Sequence, residues 1–269
     1  MFLTRYIIKT KLHFWVTERQ ITRWLDRTNL FFILSIGRSG TMFLAHLLNR
    51  ANGVSVYHEP VDADRRAYPE AFHSFEQASR YIRTFRRKEI FLRAGGADTT
   101  AYGEVNSWLR RHAQALEECF PSATLIHVVR DGRNVIRSMA ARRTMTPEDK
   151  ITSKIAPQPG DPWHSQWQHM DRFARLCWYW QIENAYLRTN IGKTVHFEKM
   201  ISDYDYFFKN ILEPCQIELP KELWEQAVTN PKNATRQHTI VPWTDWEPYQ
   251  RETFVRICGQ EMKNNGFEV

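Results

Sequence analysis

The chain has 269 residues, of which 42% are hydrophobic and 25% are charged. This balance is typical of a globular protein and excludes a disordered or fibrous one. The 37 Lys and Arg residues outnumber the 30 Asp and Glu residues, so the formal net charge is +7, which favours an anionic ligand or surface. The four cysteines are scattered without a CxxC pair and indicate neither a disulfide scaffold nor a zinc site.

The N-terminal segment mixes apolar residues with Arg5, Lys9 and Lys11. Its longest apolar run is shorter than the ~20 residues that a membrane-spanning helix needs, and it lacks the cleavage site of a signal peptide. We therefore expect a cytoplasmic protein with a helical extension over residues 1–29. The apolar spacing over residues 12–27 favours packing of this extension on the domain, and peripheral contact with an anionic membrane is the alternative.

Short apolar runs alternate with helical patterns along the rest of the chain. The predicted strands are residues 30–36, 54–57, 89–92, 124–129 and 194–197. The predicted helices are residues 42–52, 104–119, 132–143, 166–190, 202–213 and 251–264. Apolar strands separated by helices are typical of an α/β protein with a parallel sheet. No linker divides the chain, so we expect a single domain over residues 30–269, with a central parallel sheet flanked by helices.

The first predicted strand runs directly into a glycine-containing loop and then a helix. The loop and the residue after it are Gly37, Arg38, Ser39, Gly40, Thr41 and Met42. The glycines let the backbone approach a ligand closely, and the N–H groups that begin the helix converge on an anion. Two hydroxyls and a guanidinium add further donors. The loop therefore predicts an anion site, with a glycine turn that only caps the helix as the alternative.

A second polar junction follows the predicted strand 124–129. Asp131 is a good N-cap for the next helix, and Ser138 lies about two turns into that helix, away from its buried stripe. Arg130 and Ser138 together predict a second anion site beside the first one, because both follow strands of the same parallel sheet. An ion pair with a neighbouring carboxylate is the alternative role for Arg130.

The two junctions resemble the donor-binding motifs of sulfotransferases that use 3′-phosphoadenosine 5′-phosphosulfate (PAPS). The motifs are IGRSGT and VVRDGRNVIRSM. The resemblance extends over roughly residues 30–267 and is greatest to carbohydrate-type and bacterial members. It implies the P-loop nucleotide-hydrolase-like α/β fold of that family, PAPS as the donor and adenosine 3′,5′-bisphosphate as the product.

The resemblance also implies roles for individual residues. The 5′-phosphosulfate site would comprise Gly37, Arg38, Ser39, Gly40, Thr41 and Met42. Arg130 and Ser138 would hold the 3′-phosphate, and Arg38 would act in catalysis by stabilising charge on the leaving oxygens. We expect no metal, because Thr41 and Met42 occupy the positions of the Lys and the magnesium-binding hydroxyl in a GxxxxGK[ST] loop. Phe43 matches an adenine-stacking aromatic of some members, and core packing is its alternative role.

Sulfuryl transfer needs a base for the proton of the acceptor hydroxyl. Glu59 is the preferred choice, because it ends a predicted strand and relatives often carry a Glu-Pro there. His58 is the rival, since the ordinary pKa of histidine lies closer to neutral. An ion pair with Arg38 is the structural alternative for Glu59.

One position departs from the family pattern, and the role of one further arginine is left with two alternatives. Many relatives carry a Lys where this chain has Val105, and Asn106 or Arg93 would then take over its sulfate contact. Arg236 would either complete the 3′-phosphate site or face solvent.

The acceptor is expected to be a hydroxyl of a carbohydrate or glycolipid, mainly because of the resemblance, while a protein tyrosine or a small alcohol remains open. The first two-thirds of residues 144–171 predict a long loop, and loops of this length are usually functional or disordered. Four tryptophans would either stack on a sugar or cover the core: Trp163, Trp167, Trp243 and Trp246. Nucleic acid is not an expected partner. Two rival functions are a P-loop-type kinase that uses ATP and a non-enzymatic binder of sulfated glycans or acidic lipids.

Overall fold

The computed structural model describes residues 15–94, 100–229 and 239–269, and the basic residues Arg5, Lys9 and Lys11 lie outside them. Helix α1, Glu18–Leu25, starts at a capping box in which Thr17 and Gln20 exchange hydrogen bonds between side chain and backbone. Its Trp24 is buried, with the ring edge-on to Tyr102 at 6.3 Å. The described part of the N-terminal extension therefore packs on the domain.

Five parallel strands form the sheet of the described chain, in the order β2-β3-β1-β4-β5. The strands are β1 Asn29–Leu34, β2 Val54–His58, β3 Ala101–Asn106, β4 Thr124–Val129 and β5 Thr194–His196. The predicted α/β class, with a central parallel sheet flanked by helices, is confirmed.

Helices cover the sheet on both faces. Those that follow α1 are α2 Thr41–Leu48, α3 Asp62–His73, α4 Phe75–Tyr81, α5 Arg87–Ala94, α6 Ala113–Cys119, α7 Gly132–Ala140, α8 Arg172–Asn190, α9 Phe197–Ser202, α10 Tyr204–Phe207, α11 Lys221–Thr229 and α12 Pro248–Asn264. Side chains alternate between the two faces along β1. Phe31 and Ile33 pack with α2 and Phe207, whereas Phe32 and Leu34 pack with α5 and α6.

One predicted strand is wrong, and one strand was missed. Residues 89–92 belong to helix α5, while the predicted helix 104–119 begins as strand β3 and is α-helical only in α6. The buried strand is hard to recognise because it contains Glu104, whose carboxylate is fully buried and paired with the guanidinium of Arg86. A charge is tolerated inside a sheet only when such a partner offsets its desolvation.

The remaining predicted elements are present with shifted ends. The predicted strand 194–197 ends one residue early, so that Phe197 begins helix α9. The predicted helix 202–213 is divided into α10 and a π-helical turn, Phe208–Leu212. In the described ranges, no helix is both long and apolar enough to cross a membrane.

The four tryptophans that were considered as sugar platforms cover the core. Trp246 is buried, and its ring meets that of Trp243 edge-on at 4.9 Å. Trp167 contacts Trp178 in the same way at 4.9 Å, and Trp163 is half-buried beneath the guanidinium of Arg256. Apolar packing is therefore the role that the structure assigns to these rings.

Candidate active site

A cavity of about 530 Å³ lies at the carboxyl edge of the sheet, where parallel sheets bind their ligands. All five strands lead into it. The lining residues at the strand ends are Gly37 and Arg38 after β1, His58 and Glu59 at β2, Ser107 and Trp108 after β3, Arg130 after β4 and Phe197 after β5.

The loop between β1 and α2 has the geometry of an anion cradle. Arg38 and Gly40 both adopt left-handed backbone conformations, with φ of +75° and +81°. A Cβ at position 40 would overlap the ring of Phe197, so only glycine fits there. No side chain among the described residues caps the N-terminus of α2, and the buried Ser39 hydroxyl has no hydrogen-bond partner among them. Unpaired donors of this kind fit a phosphate or sulfate group.

The two predicted anion motifs meet, although they are far apart in the sequence. Arg130 Nη1 donates a hydrogen bond to the carbonyl oxygen of Arg38 (2.9 Å), and Arg38 Nε donates one to Ser138 Oγ (2.9 Å). Burial lowers the pKa of Arg38, and the nearby positive charges of Arg142 and Arg130 lower it further. Positive charges brought together in this way favour a bound anion.

Arg130 is also held by the segment that follows β5. Its guanidinium lies over the ring of Phe197, 4.8 Å from the ring centroid, and its Nε lies 4.0 Å from Glu198 Oε1. Burial lowers the pKa of Arg130, while Glu198 and Asp131 act in the opposite direction. The ion pair that was the alternative for Arg130 is thus present, on a residue that also lines the cavity.

Glu59 is fixed in place by two side chains from the end of β3. Its Oε1 accepts a hydrogen bond from Ser107 Oγ, and its Oε2 accepts one from Trp108 Nε1 at 3.1 Å. The backbone of Glu59 has a φ of +45°, a conformation that is costly for a residue with a Cβ and that is often found at functional sites. The carboxylate is thus rigidly presented at the wall of the cavity.

His58 lies between Glu59 and the anion loop. Its Nε2 is 2.9 Å from Thr41 Oγ1 and 3.9 Å from Glu59 Oε1. Burial lowers the pKa of His58, Glu59 raises it and His46 lowers it again, with a net decrease. The imidazole is therefore neutral at neutral pH, with one nitrogen within hydrogen-bonding distance of the Thr41 hydroxyl.

The cavity wall next to Trp108 contains a buried cation and a tyrosine. The guanidinium of Arg110 is buried and forms an ion pair with Glu183 (Nε to Oε2, 2.7 Å). It also donates hydrogen bonds to the carbonyl of Ser107 and the hydroxyl of Tyr179. Burial raises the pKa of Tyr179 to about 12, although Arg110 opposes this rise. The hydroxyl of Tyr179 therefore stays protonated.

The start of the predicted loop 144–171 closes the same end of the cavity, where Thr144, Asp149 and Thr152 line it. The hydroxyl of Thr152 donates to Asp149 Oδ2 at 2.6 Å and accepts from the backbone N–H of Met145 at 2.8 Å. Arg172 donates to the carbonyl of Thr144 at 3.1 Å. This part of the loop is thus ordered by its own hydrogen bonds.

Comparison with known proteins identifies the family. The sequence model described as the sulfotransferase family matches residues 31–221. The chain belongs to the sulfotransferase family. Among proteins with curated functions, none matches this sulfotransferase.

Solved sulfotransferase structures resemble this one at low sequence identity. A sulfotransferase from Mycobacterium avium superimposes with a TM-score of 0.54 and 12% identity, over 93% of this chain and 82% of that one, which indicates a shared fold. A sulfotransferase from Alicyclobacillus acidocaldarius gives 0.48 and 16%, over 90% and 97% of the two chains. A mouse sulfotransferase complexed with PAP gives 0.48 and 13%, over 92% and 90%.

The structure brings most of the predicted site residues of this sulfotransferase into one cavity. Those that line it are Gly37, Arg38, Gly40, Thr41, Met42, Phe43, His58, Glu59 and Arg130. Ser39 and Ser138 are buried behind this wall, and Ser138 reaches it through its hydrogen bond with Arg38. Arg236 lies outside the described residues. No group of three His, Cys, Asp or Glu side chains in the described ranges is arranged to hold a metal.

Neither predicted substitute for the family Lys lines the cavity. Arg93 donates to the carbonyl of Pro60 at 3.3 Å. Asn106 is fully buried: its Oδ1 accepts from the backbone N–H groups of Trp108 (3.0 Å) and Leu109 (3.3 Å), and its Nδ2 donates to Asp64 (2.9 Å). Asn106 therefore supports the loop that holds Glu59 and is not part of the cavity wall.

Sequence reasoning missed several residues of the cavity wall: Ser107, Trp108, Arg110, Asp149, Thr152 and Tyr179. The signals were indirect: Asp149 and Thr152 lie in the predicted long loop, and Ser107 and Trp108 follow a strand. The strand before Ser107 and Trp108 was interpreted as the start of a helix.

Proposed function

We propose that this sulfotransferase moves the sulfuryl group of PAPS to an acceptor hydroxyl, with Glu59 as the general base. One observation carries the proposal: the cradle at Gly40, the cation Arg130 and the carboxylate of Glu59 all face a single cavity. Donor binding and proton removal would then occur side by side, as an in-line transfer requires. The family match over residues 31–221 supports a sulfotransferase domain that begins near residue 30, after an extension over residues 1–29, and we extend this domain to residue 269.

The donor site uses residues of the two anion motifs. PAPS, when bound, supplies an activated sulfuryl group. The first N–H groups of α2 and the hydroxyls of Ser39 and Thr41 bind the 5′-phosphosulfate. Arg38 stabilises the negative charge that develops on the leaving oxygens. Arg130 and Ser138 hold the 3′-phosphate, which fits the buried Arg130 Nε that lacks a hydrogen-bond partner among the described residues.

The proposed base is held by hydrogen bonds to both of its carboxylate oxygens. Because Ser107 and Trp108 fix both carboxylate oxygens of Glu59, the carboxylate accepts the acceptor's proton without reorganising. His58 contributes in a different way: its neutral imidazole lies within hydrogen-bonding distance of Thr41 and thereby orients a hydroxyl of the donor loop.

The acceptor is a hydroxyl of a carbohydrate or a glycolipid. The cavity wall next to Glu59 combines the Trp108 ring with the polar groups of Asp149 and Thr152. Aromatic rings flanked by hydrogen-bonding groups suit sugar rings, which have apolar faces and polar edges. The resemblance to carbohydrate-type members supports the same choice.

Ligand-induced stabilisation tests the donor class. Adenosine 3′,5′-bisphosphate without magnesium should raise the melting temperature by several degrees, because a ligand at about 100 times its Kd stabilises the folded state by about 2.7 kcal/mol. ATP with or without magnesium should give a clearly smaller rise. A rise with magnesium-ATP alone would instead favour the kinase. Incubation with PAPS and an acceptor library, with detection of the added sulfuryl mass, then identifies the acceptor.

A further inference from the structure

Two side chains of opposite charge, Arg130 and Glu198, lie beside the proposed 3′-phosphate site. Arg130 Nε and Glu198 Oε2 are both buried, and neither has a hydrogen-bond partner among the described residues. The nearest approach of the pair, Arg130 Nε to Glu198 Oε1, is 4.0 Å, which is too long for a hydrogen bond. Because buried polar groups are almost always paired, this arrangement points to a partner that arrives from the cavity.

Glu198 cannot easily move away from Arg130. Its Oε1 accepts a hydrogen bond from the backbone N–H of Asp131 at 3.1 Å. The side chain of Asp131 in turn caps helix α7 by accepting from the N–H of Arg133 at 2.8 Å. The preceding residue, Phe197, packs against Gly40 and the Arg130 guanidinium. The carboxylate is therefore fixed to the same junction that carries the phosphate-binding cation.

The charges around Glu198 come from three parts of the chain. Arg130, Asp131 and Arg133 belong to the junction of β4 and α7, Glu268 belongs to the C-terminal tail, and His196 and Lys199 flank Glu198 along the chain. Burial raises the pKa of Glu198 above its ordinary value, although backbone hydrogen bonds and Arg130 oppose the rise. The carboxylate thus already binds a proton more readily than an exposed glutamate does.

We propose that Glu198 is a further residue of the 3′-phosphate site and that it takes up a proton when a phosphate binds Arg130. The inference rests on the proposed function, since it takes Arg130 as the phosphate ligand. A phosphate would satisfy Arg130 Nε but bring negative charge close to the Glu198 carboxylate, and like charges favour the protonated acid. The proton comes from solvent and binds the unpartnered Oε2. The new O–H then donates to a phosphate oxygen.

Calorimetry of adenosine 3′,5′-bisphosphate binding to the full chain tests this proposal. Titrations in two buffers of different ionisation enthalpy, between about pH 6 and pH 8, give the number of protons that the complex takes up on binding. The slope of affinity against pH gives the same number independently, by linkage. The variant is Glu198→Gln, whose amide oxygen still accepts from the Asp131 N–H. On binding, we expect the wild type to take up as much as one proton more than the variant. As the pH rises, the Kd of the wild type should therefore weaken by up to about tenfold more per pH unit than the Kd of the variant. The variant should bind about threefold or more tightly near pH 8.

Two controls isolate the site. Glu225→Gln changes an exposed carboxylate that is paired only loosely with Lys221, at 3.9 Å, and should behave as the wild type does. Adenosine 5′-monophosphate lacks the 3′-phosphate, so it should give equal proton uptake in the wild type and in Glu198→Gln.

Wild-type data alone give a second readout if the variant folds poorly. A phosphate that binds an arginine releases protons, so a larger proton uptake with the bisphosphate than with the monophosphate must come from the protein. Tight binding with equal proton uptake in the two proteins overturns the inference alone. So does an absent excess for the bisphosphate at pH 7 and above, where a phosphate monoester has little proton left to release. Failure of the wild type to bind the bisphosphate overturns the proposed function and this inference together.

Discussion

The two ends of the cavity are built in different ways. At the donor end, the anion cradle consists of consecutive residues, from Gly37 to Thr41, joined by one hydrogen bond to Arg130. At the other end, Glu59 depends on Ser107 and Trp108, and these in turn contact Asn106 and Arg110. The anion cradle is thus a local motif, whereas the surroundings of Glu59 are a tertiary assembly.

This difference has a functional meaning. A donor common to many enzymes can be bound by backbone N–H groups and a few charges, because phosphate and sulfate present the same oxygens each time. A base must instead be placed to suit one acceptor, so its supporting residues come from wherever the fold brings them. Substitutions at the two ends should therefore separate donor binding from turnover.

The largest effect is expected for Glu59→Gln. Loss of the general base should reduce turnover by about 10²–10⁴-fold, while the Kd of adenosine 3′,5′-bisphosphate stays within about twofold because an uncharged isostere leaves the cradle intact. Rate and Kd are measured on the same preparation. His58→Gln serves as the comparison, and a fully active Glu59→Gln would transfer the role of base to another group.

Gly40→Ala should break the donor end. The added Cβ overlaps the Phe197 ring, and the φ of +81° is unfavourable for alanine, so we expect a loss of about 2–4 kcal/mol of stability and weaker nucleotide binding. Gly160→Ala is the matched control, since its φ is +97° and a Cβ there meets nothing within 4 Å. Thermal melts with and without nucleotide compare the two. Equal losses in the two variants would mean that Phe197 is not part of the cradle.

Trp108→Phe should affect the Glu59 end of the cavity alone. The variant keeps an aromatic ring but loses the N–H that donates to Glu59 at 3.1 Å. Removing one hydrogen bond to a charged group costs about 1.5–3 kcal/mol, which corresponds to a fall in kcat of about tenfold or more, with an unchanged nucleotide Kd. Steady-state kinetics and calorimetry distinguish this result from a general loss of folding, which would weaken both.

His127 is a buried titratable residue that lies outside both ends of the cavity. Its ring lies 3.1 Å from Asn184 Oδ1, and burial lowers its pKa to about 4 despite this hydrogen bond. His127 therefore binds its proton at a higher pH in the unfolded chain than in the folded protein. Its contribution to the free energy of unfolding is complete above about pH 6.5 and is lost as the pH falls toward 4. The loss amounts to about 3 kcal/mol.

Chemical denaturation at several pH values measures this loss. The variant His127→Gln should show a shallower decrease in stability at acidic pH, while exposed His164→Gln should follow the wild type. A wild-type slope retained in His127→Gln would assign the acid sensitivity to other groups.

The sequence predicted the elements around the anion cradle well and those around Glu59 poorly, for a physical reason. β1 and β4 are apolar runs followed closely by Gly37 and Arg130, so strand, loop and helix are visible within about twenty residues. β3 was missed because Glu104 and Asn106 are buried there, and their partners Arg86 and Asp64 lie in other elements. Such pairing is a property of the fold and leaves no local pattern.

The same difference between local pattern and tertiary contact explains the predictions for Glu59 and for the tryptophans. The sequence singled out Glu59, which lines the cavity, because it follows a predicted strand. It could not single out Ser107 and Trp108, which contact Glu59, since they fell within a wrongly predicted helix. Trp243 and Trp246 looked like platforms for a ligand, yet they pack against each other and Phe254. Composition indicates that aromatic rings are present, whereas only tertiary contacts decide whether they face the core or a ligand.

A crystal structure with adenosine 3′,5′-bisphosphate is the most direct test of the central claim, that two strand-end motifs form one donor site beside Glu59. The account predicts the 5′-phosphate at the start of α2, the 3′-phosphate between Arg130 and Ser138, and the 5′ end nearer to Glu59 than the 3′ end. A nucleotide bound in the reverse orientation, or outside this cavity, would contradict it.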